Sequence, residues 1–338
     1  MVTLFYFIYF CQMMDTNAIF NIQTETEFEN LAIQIFKFQF ENNRVYRSFC
    51  DLLYIHPSDV KSLKDIPFLP IQFFKSHSVL SSKESVQTTF TSSGTTGSNT
   101  SKHLVTNLEI YEQSFKKGFE HFYGAIEDYV VLALLPSYLE RSGSSLIYMV
   151  DAFIKQSNHT ESGFYLNNLS ELKDRLTTVD SQGKKVLLIG VSFALLDLVE
   201  AHQFQLKNTI IMETGGMKGR RKELVRDELH AILKQGFGVD AIHSEYGMTE
   251  LLSQAYSQGN GIFNCPNWMR IVTRDTEDAL TLQPTGKAGG INVIDLANIN
   301  SCSFIATQDL GRVYQNNSFE IIGRFDTSDI RGCNLMVL

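Results

Sequence analysis

Two short stretches of the chain carry residue types suited to holding a polyphosphate and a metal ion. The first is Phe90-Thr91-Ser92-Ser93-Gly94-Thr95-Thr96-Gly97-Ser98-Asn99-Thr100-Ser101-Lys102. Its small residues let the backbone approach an anion, its glycines permit a nest of N–H donors, and its hydroxyls add neutral hydrogen bonds. It is not a Walker A loop, because no Gly-Lys-Ser/Thr closes it after a four-residue gap. Alone, it fits a flexible surface loop as well as a phosphate cradle. The second stretch is Glu245-Tyr246-Gly247-Met248-Thr249-Glu250, read as following a strand over Val239 to His243. Loops at the C-terminal ends of parallel strands are where α/β proteins bind ligands. Tyr246 offers a flat apolar face, Thr249 a hydroxyl, and Glu250 a hard carboxylate oxygen suited to Mg²⁺ beside phosphates. Alone, this is also an exposed turn running into a helix.

A rival site is Gly190-Val191-Ser192-Phe193-Ala194, placed between a strand and a helix as a hydrolase nucleophile elbow would be. Alanine replaces its last glycine, Asp240 and His243 lie only three residues apart, and no glycine-rich oxyanion loop precedes it. A serine capping a strand-to-helix turn accounts for Ser192 without catalysis.

Positioning these stretches falls to an alternating pattern of elements. The capping box Thr24-x-x-Glu27, with Phe28, Leu31, Ala32, Ile35 and Phe36 behind it, predicts an amphipathic helix from Glu25 to about Asn42. A second helix is expected around Val45 to Tyr54, then a proline-fixed segment at Asp65-Ile66-Pro67-Phe68-Leu69-Pro70. Gln87 to Phe90 reads as a strand. Thr106-x-x-Glu109 reads as another capping box, with Tyr111, Phe115, Phe119 and Phe122 as a core-facing stripe ending at Gly124. Apolar strands are expected at Val130 to Leu135, Val186 to Val191, Thr209 to Met212 and Val239 to His243. Helices are expected at Ser145 to Ile154, Ala194 to Phe204, and Arg220 to Lys234 closed by Gly236. Buried, non-alternating strands joined by helices mean a parallel sheet covered on both faces. From about Trp268 short strands with glycine turns take over, at Ile291 to Asp295, Ser303 to Thr307, Arg312 to Tyr314 and Phe319 to Ile322. The fold class is therefore α/β, with a small C-terminal β-subdomain.

Length and composition agree. The 338 residues allow about two domains, and 43% hydrophobic with 20% charged residues is ordinary globular composition. The net charge of −8 and the absence of a basic stripe argue against nucleic acid as a partner. The longest basic cluster, Lys218-Gly219-Arg220-Arg221-Lys222, suits a small phosphorylated ligand or a solvated helix start. The five cysteines are odd in number and widely spaced, with no Cys-x-x-Cys pair. That argues against disulfides and structural zinc, and for a reduced, cytoplasmic setting. The apolar run Met1 to Phe10 is too short for a membrane span and lacks signal-peptide features. It is read as an over-long start, with Met13 or Met14 as the expected first residue.

Taken together, the Thr/Ser/Gly loop and the Tyr-Gly-x-Thr-Glu motif resemble the adenylate-forming superfamily of acyl-CoA synthetases, luciferases and adenylation domains. Further matches follow in order: Thr214-Gly215-Gly216, Thr285-Gly286-Lys287-Ala288-Gly289-Gly290, Thr307-Gln308-Asp309-Leu310-Gly311 and Ile322-Gly323-Arg324-Phe325-Asp326. The subfamily most resembled is the LuxE-type acyl-protein synthetase, through Asp65 to Pro70, Gln182 to Gly190, Gly215-Gly216-Met217-Lys218, Pro266-Asn267-Trp268 and Arg331-Gly332-Cys333. The resemblance implies an adenylate-forming fold without the usual lid domain, since the chain ends at Leu338 soon after the hinge motif. The expected division is an extra segment 1–24, an α/β adenylating core 25–262, and a β-rich part 263–338 ending in the Cys333 tail.

The implied activity joins a carboxylic, expectedly fatty, acid to ATP with Mg²⁺ and transfers the acyl group to Cys333 for a reductase or acyltransferase partner. The implied ATP contacts are Thr91, Ser92, Ser93, Gly94, Thr95, Thr96 and Gly97 on phosphates, and Gly215 and Gly216 against adenine. Tyr246 and Gly247 would pack on adenine, Thr249 would meet the α-phosphate, Asp309 and Arg324 the ribose, and Glu250 the metal. The lid lysine of ordinary members has no counterpart, so Lys218 and Lys102 are the candidate replacements. A thiolate at Cys333, favoured by nearby Arg331, is a competent acyl acceptor. Two alternatives stand beside this reading: a ligase using free coenzyme A, and a non-catalytic nucleotide-binding subunit.

Overall fold

The architecture comes from a computed structural model that describes residues 16–92, 100–135, 143–166, 168–215 and 224–325. Its helices are α1 (Thr16–Phe20), α2 (Glu25–Asn42), α3 (Arg44–Leu52), α4 (Phe73–Ser76), α5 (Leu108–Tyr123), α6 (Ser145–Gln156), α7 (Leu169–Ser181), α8 (Ser192–Ala201) and α9 (Arg226–Phe237). Its strands are β1 (Leu69–Pro70), β2 (Thr88–Thr91), β3 (Lys102–Val105), β4 (Tyr129–Leu134), β5 (Gly163–Tyr165), β6 (Lys185–Gly190) and β7 (Thr209–Glu213). The second run comprises β8 (His243–Tyr246), β9 (Ala255–Ser257), β10 (Ile262–Asn264), β11 (Met269–Arg274), β12 (Ala288–Asp295), β13 (Phe304–Val313) and β14 (Phe319–Arg324).

Every residue of β4 is buried, as is every residue of β6 after Lys185. Strands this apolar need cover on both faces, which parallel pairing with helical crossovers supplies. Accordingly β5, β4, β6, β7 and β8 pair in parallel. Beyond β8 the sheet turns antiparallel and runs on through β9, β10, β14, β13, β12 and β11, with β1 added to β13. Residue 262 opens β10, which pairs with β9 on one edge and β14 on the other, so strands before and after it share one sheet. The hairpin of β2 and β3 stands apart from that sheet.

The helices pack as their spacing requires. Helix α2 spans the expected residues and carries both bonds of its capping box, Glu27 N to Thr24 Oγ1 at 3.2 Å and Thr24 N to Glu27 Oε2 at 3.0 Å. Such a cap contributes about 1 kcal/mol. On α5, Tyr111, Phe115 and Phe119 are buried, and Phe115 and Phe119 meet Phe153 of α6 with ring centroids 5.4 and 5.1 Å apart. Gly124 ends α5 at φ 81°.

Several expectations are corrected. Helix α5 is capped by Asn107, whose side chain accepts from Glu109 N at 3.0 Å; Thr106 is buried with its hydroxyl unpartnered. The shorter reach of an Asn one residue later displaces the predicted box. Helix α9 runs on past Gly236 to a left-handed Gly238 at φ 68°, where an added Cβ would lie 2.7 Å from the Phe204 carbonyl. The strand expected at Val239 to His243 forms instead over His243–Tyr246, because pairing with β7 (Met212 to His243) and with β9 sets its register. Ser303 to Thr307 and Arg312 to Tyr314 are one strand, β13, with a register shift at Leu310/Gly311 carrying it through the polar Gln308-Asp309 pair.

Candidate active site

The Thr/Ser/Gly loop is presented by the β2–β3 hairpin. Thr91 and Lys102 are opposite each other at its mouth. Ser92 continues the pairing, its N–H giving to Ser101 O at 3.1 Å and its Oγ accepting from Ser101 N at 2.9 Å. Thr91 N also gives to Gly143 O at 2.8 Å, and Gly143, at φ 88°, has no room for a Cβ, which would lie 2.9 Å from Thr91 Oγ1. Ser93, Gly94, Thr95, Thr96 and Gly97, expected at the tip, lie outside the described residues, as do Gly216, Lys218 and Cys333.

At the end of β7, Thr214 N gives to Gly190 O at 3.0 Å and Gly215 turns at φ 72°. The Gly215 N–H gives to Glu213 Oε2 at 2.7 Å, and the same oxygen accepts from Ser192 Oγ at 2.9 Å. His230 Nε2 approaches the other oxygen at 3.7 Å, an ion-pair distance too long for a hydrogen bond. Burial works to raise the Glu213 carboxyl, but the donors around it outweigh burial and hold it below its ordinary value. Ser192 is thus the first residue of α8 and spends its hydroxyl on a carboxylate; the cap position belongs to Val191. A hydrolase nucleophile would need a histidine in that place.

The Tyr-Gly-x-Thr-Glu motif starts inside β8, with Tyr246 as its last residue, so the strand itself aims the ring. Tyr246 gives its hydroxyl to Asp309 Oδ2 at 2.8 Å and packs edge-on against Phe263 and Phe319. Asp309 and Arg324 are register partners on β13 and β14, with Arg324 Nε 3.6 Å from Asp309 Oδ1. Burial raises the Asp309 carboxyl, and Tyr246, Arg324 and Arg274 pull it back. Arg324 keeps 69% of its side chain exposed, leaving it free to meet a ligand. At Gly247 an added Cβ would fall 2.3 Å from Glu245 Oε1, so the Glu245 carboxyl folds back over this glycine. Burial, with the Glu213 charge behind it, pushes the Glu245 carboxyl up to about 8.

Glu250 is 5% exposed. Burial raises its carboxyl; the Ser101 hydroxyl lowers it, and Arg324 and Lys75 do so from farther away. Among the described residues no cation closes on it in an ion pair. The backbone around it, from Thr249 to Ser253, is held by three side chains. His103 Nδ1 lies 2.8 Å from Thr249 O and Nε2 lies 2.9 Å from Asn298 Oδ1. Asn298 Nδ2 gives to Glu250 O at 2.8 Å and to Cys302 O at 2.9 Å. Asp295 Oδ2 accepts from Leu252 N at 2.8 Å and from Ser253 N at 3.0 Å. Burial pushes the His103 imidazole down to about 4.

Two polar groups thus face the same region, Ser101 with Glu250 on the hairpin side and Tyr246, Asp309 and Arg324 across β8, β13 and β14, with the Arg324 charge felt at Glu250 from a distance. Lys102 stands at the hairpin mouth, and Gly215 lies at the neighbouring strand end. Motif reading included Glu245 in its stretch without giving it a role, and missed Glu213, His103, Asn298 and Asp295; these four act on backbone groups, which leave no sequence pattern.

The fold is that of the adenylate-forming enzymes. A 2-hydroxyisobutyryl-CoA ligase solved with 2-HIB-AMP and CoA superposes with a TM-score of 0.68 at 13% identity, covering 90% of this chain and 70% of that one. ATP-bound MatB from Rhodopseudomonas palustris gives 0.54 at 16% identity, covering 72% of this chain and 49% of that one, so the chain matches about half of MatB's length. Within that class the chain belongs to the acyl-protein synthetase (LuxE) family, whose profile matches residues 15–127 and 139–338. A relative from Vibrio harveyi, the long-chain-fatty-acid–luciferin-component ligase, is 23% identical over 353 residues, covering 95% of this chain and 90% of that protein. Family membership makes the protein an AMP-forming ligase. Among the described residues no helix is long and apolar enough to cross a membrane.

Proposed function

We propose that this chain activates a long-chain fatty acid as its acyl-adenylate and passes the acyl group to Cys333. In the first step a carboxylate oxygen attacks the α-phosphorus of ATP, the bond to the bridging oxygen breaks, and pyrophosphate leaves. In the second, the Cys333 thiolate attacks the acyl carbon, the acyl–phosphate bond breaks, and AMP leaves. The thiol proton goes to solvent. The observation that supports the reading is the set of Ser101, Glu250, Arg324, Asp309 and Tyr246. It gathers a buried carboxylate, an exposed guanidinium and an Asp–Tyr pair in one region, the kinds of group that a metal-bound phosphate, a ribose and a base call for.

In this reading Thr91, Ser92 and the loop to Gly97 hold phosphates, Gly215 and Gly216 back the adenine, and Tyr246 and Gly247 pack on it. Thr249 meets the α-phosphate, and Asp309 with Arg324 holds the ribose. Glu250 holds Mg²⁺, which would neutralise phosphate charge when bound. Lys102 and Lys218 are the candidate cations for the departing pyrophosphate. The choice of a fatty acid follows the name of the Vibrio harveyi relative, and the bound AMP ester and ATP of the solved neighbours agree with nucleotide chemistry. A thioester on Cys333 requires a consumer, so a reductase or acyltransferase partner in a reduced, cytoplasmic setting completes the proposal. Mass spectrometry after incubation with Mg·ATP and a fatty acid tests it. The Cys333 peptide is expected to gain one acyl group that hydroxylamine removes. ATP consumption with Cys333 unmodified would sink the acceptor half.

A further inference from the structure

Thr249 and Glu250 lie in the turn between β8 and β9 and precede no helix; their peptide carbonyls are met by side chains from two distant segments. His103 comes from β3, one residue past Lys102 and two past Ser101. It is 1% exposed, and the ring of Phe74 stands edge-on to it with centroids 5.9 Å apart. Asn298 comes from the short turn after β12 and is fully buried. Its amide orientation is fixed, because Nδ2 gives to Glu250 O and Cys302 O, which leaves Oδ1 facing the imidazole; the neutral ring has one N–H and so gives to Thr249 O or to Asn298 Oδ1, not to both. The hairpin that carries the hydroxyl loop and the turn that carries the carboxylate are therefore joined by one side chain.

We propose that His103 is a positioning residue for the nucleotide and metal site. With its N–H on the Thr249 carbonyl and its other edge against Asn298, which itself holds the Glu250 carbonyl, it fixes the spacing between the Thr91–Ser92 hydroxyls and the Glu250 carboxylate. This rests on the reading of Glu250 as the metal-binding group. Holding the carbonyls of Thr249 and Glu250 fixes the two peptide planes on either side of the Glu250 Cα, and those planes set where the Glu250 side chain leaves the backbone. A ring at the centre of this tie is worth conserving in shape rather than in bulk alone. Asparagine in place of His103 can put its amide near the Nδ1 position and still reach Thr249, whereas glutamine reaches the Nε2 position and Asn298.

The test compares His103→Asn, His103→Gln and Asn298→Ala. For each, Mg·ATP affinity is measured by calorimetry without acid, melting temperature by differential scanning fluorimetry, and KM for ATP and kcat by pyrophosphate exchange. His103→Gln and Asn298→Ala are expected to weaken Mg·ATP binding about tenfold and raise KM. His103→Asn should bind within about threefold of wild type at a similarly lowered melting temperature. Folded His103→Gln and Asn298→Ala proteins that bind Mg·ATP within about twofold of wild type would overturn the proposal. So would affinity that tracks melting temperature across all three variants, which is the mark of a purely structural tie. Wild-type protein that binds no Mg·ATP would overturn the functional reading itself, and the positioning role with it.

Discussion

Replacing Tyr246 with phenylalanine separates the two contributions the side chain makes. The ring stays, with its edge-on packing on Phe263 and Phe319, and only the hydroxyl goes. That hydroxyl gives a 2.8 Å hydrogen bond to Asp309 Oδ2, which is left with Arg324 at 3.6 Å on its other oxygen. A hydrogen bond to a carboxylate in a largely buried setting is worth about 1.5–3 kcal/mol when one partner is removed. Discounting for the exposed Arg324 end, about 1–2 kcal/mol of preorganisation is lost, equivalent to about a 5- to 30-fold rise in KM for ATP. Stability should fall by a similar amount, a drop of about 1.5–3 °C in melting temperature for a chain of 338 residues. The effect carries a pH signature. Burial already raises the Asp309 carboxyl and the Tyr246 hydroxyl lowers it, so the variant raises it further. Protonated Asp309 then becomes more populated at the acidic end, and the KM ratio of variant to wild type grows as pH falls from 8 toward 5.5. Pyrophosphate exchange over that range reads the ratio. An unchanged KM and melting temperature would refute the claim that this bond organises the site. A KM ratio flat with pH would refute its assignment to Asp309.

Two further outcomes follow from the buried carboxyls. Glu245 is raised by burial to about 8 from an ordinary 4.5, so its contribution to stability is full below pH 4.5 and is lost as pH rises toward 8. Glu245→Gln should flatten that slope in melting curves recorded from pH 5 to 8.5; an unchanged slope would show that Glu245 titrates normally. Ser192→Ala should lower stability by about 1–3 kcal/mol by leaving Glu213 short of a donor, while retaining most exchange activity. Loss of activity in a folded Ser192→Ala protein would revive the nucleophile-elbow reading.

Most of the parallel layer was legible because β4 and β6 are continuous apolar runs and the intervening helices carry caps and stripes. What misled the reading is instructive. Val239 to His243 looks more strand-like than His243–Tyr246, yet pairing with β7 and β9 pulls four polar or aromatic residues into the sheet. Strand β13 contains Gln308, Asp309 and Gly311, which propensity assigns to a loop; a shift of register accommodates them and puts Asp309 opposite Arg324. The candidate ligand-contacting side chains, such as Tyr246, Glu250 and Asp309, come from recognisable motifs. Those that hold the motifs, such as Glu213 under Gly215, His103 beside Thr249 and Asp295 under Leu252, act on peptide groups. Nothing in the sequence ties them to the segment they hold.

The central claim, that Glu250 and the groups around it support acid activation, is tested most directly by carboxylate-dependent ATP–pyrophosphate exchange over a panel of fatty and aromatic acids, with Glu250→Ala beside wild type. The account predicts exchange that requires an acid, is strongest with long-chain fatty acids, and drops at least about a hundredfold in Glu250→Ala. Absence of exchange with every acid, or exchange indifferent to Glu250, would contradict it.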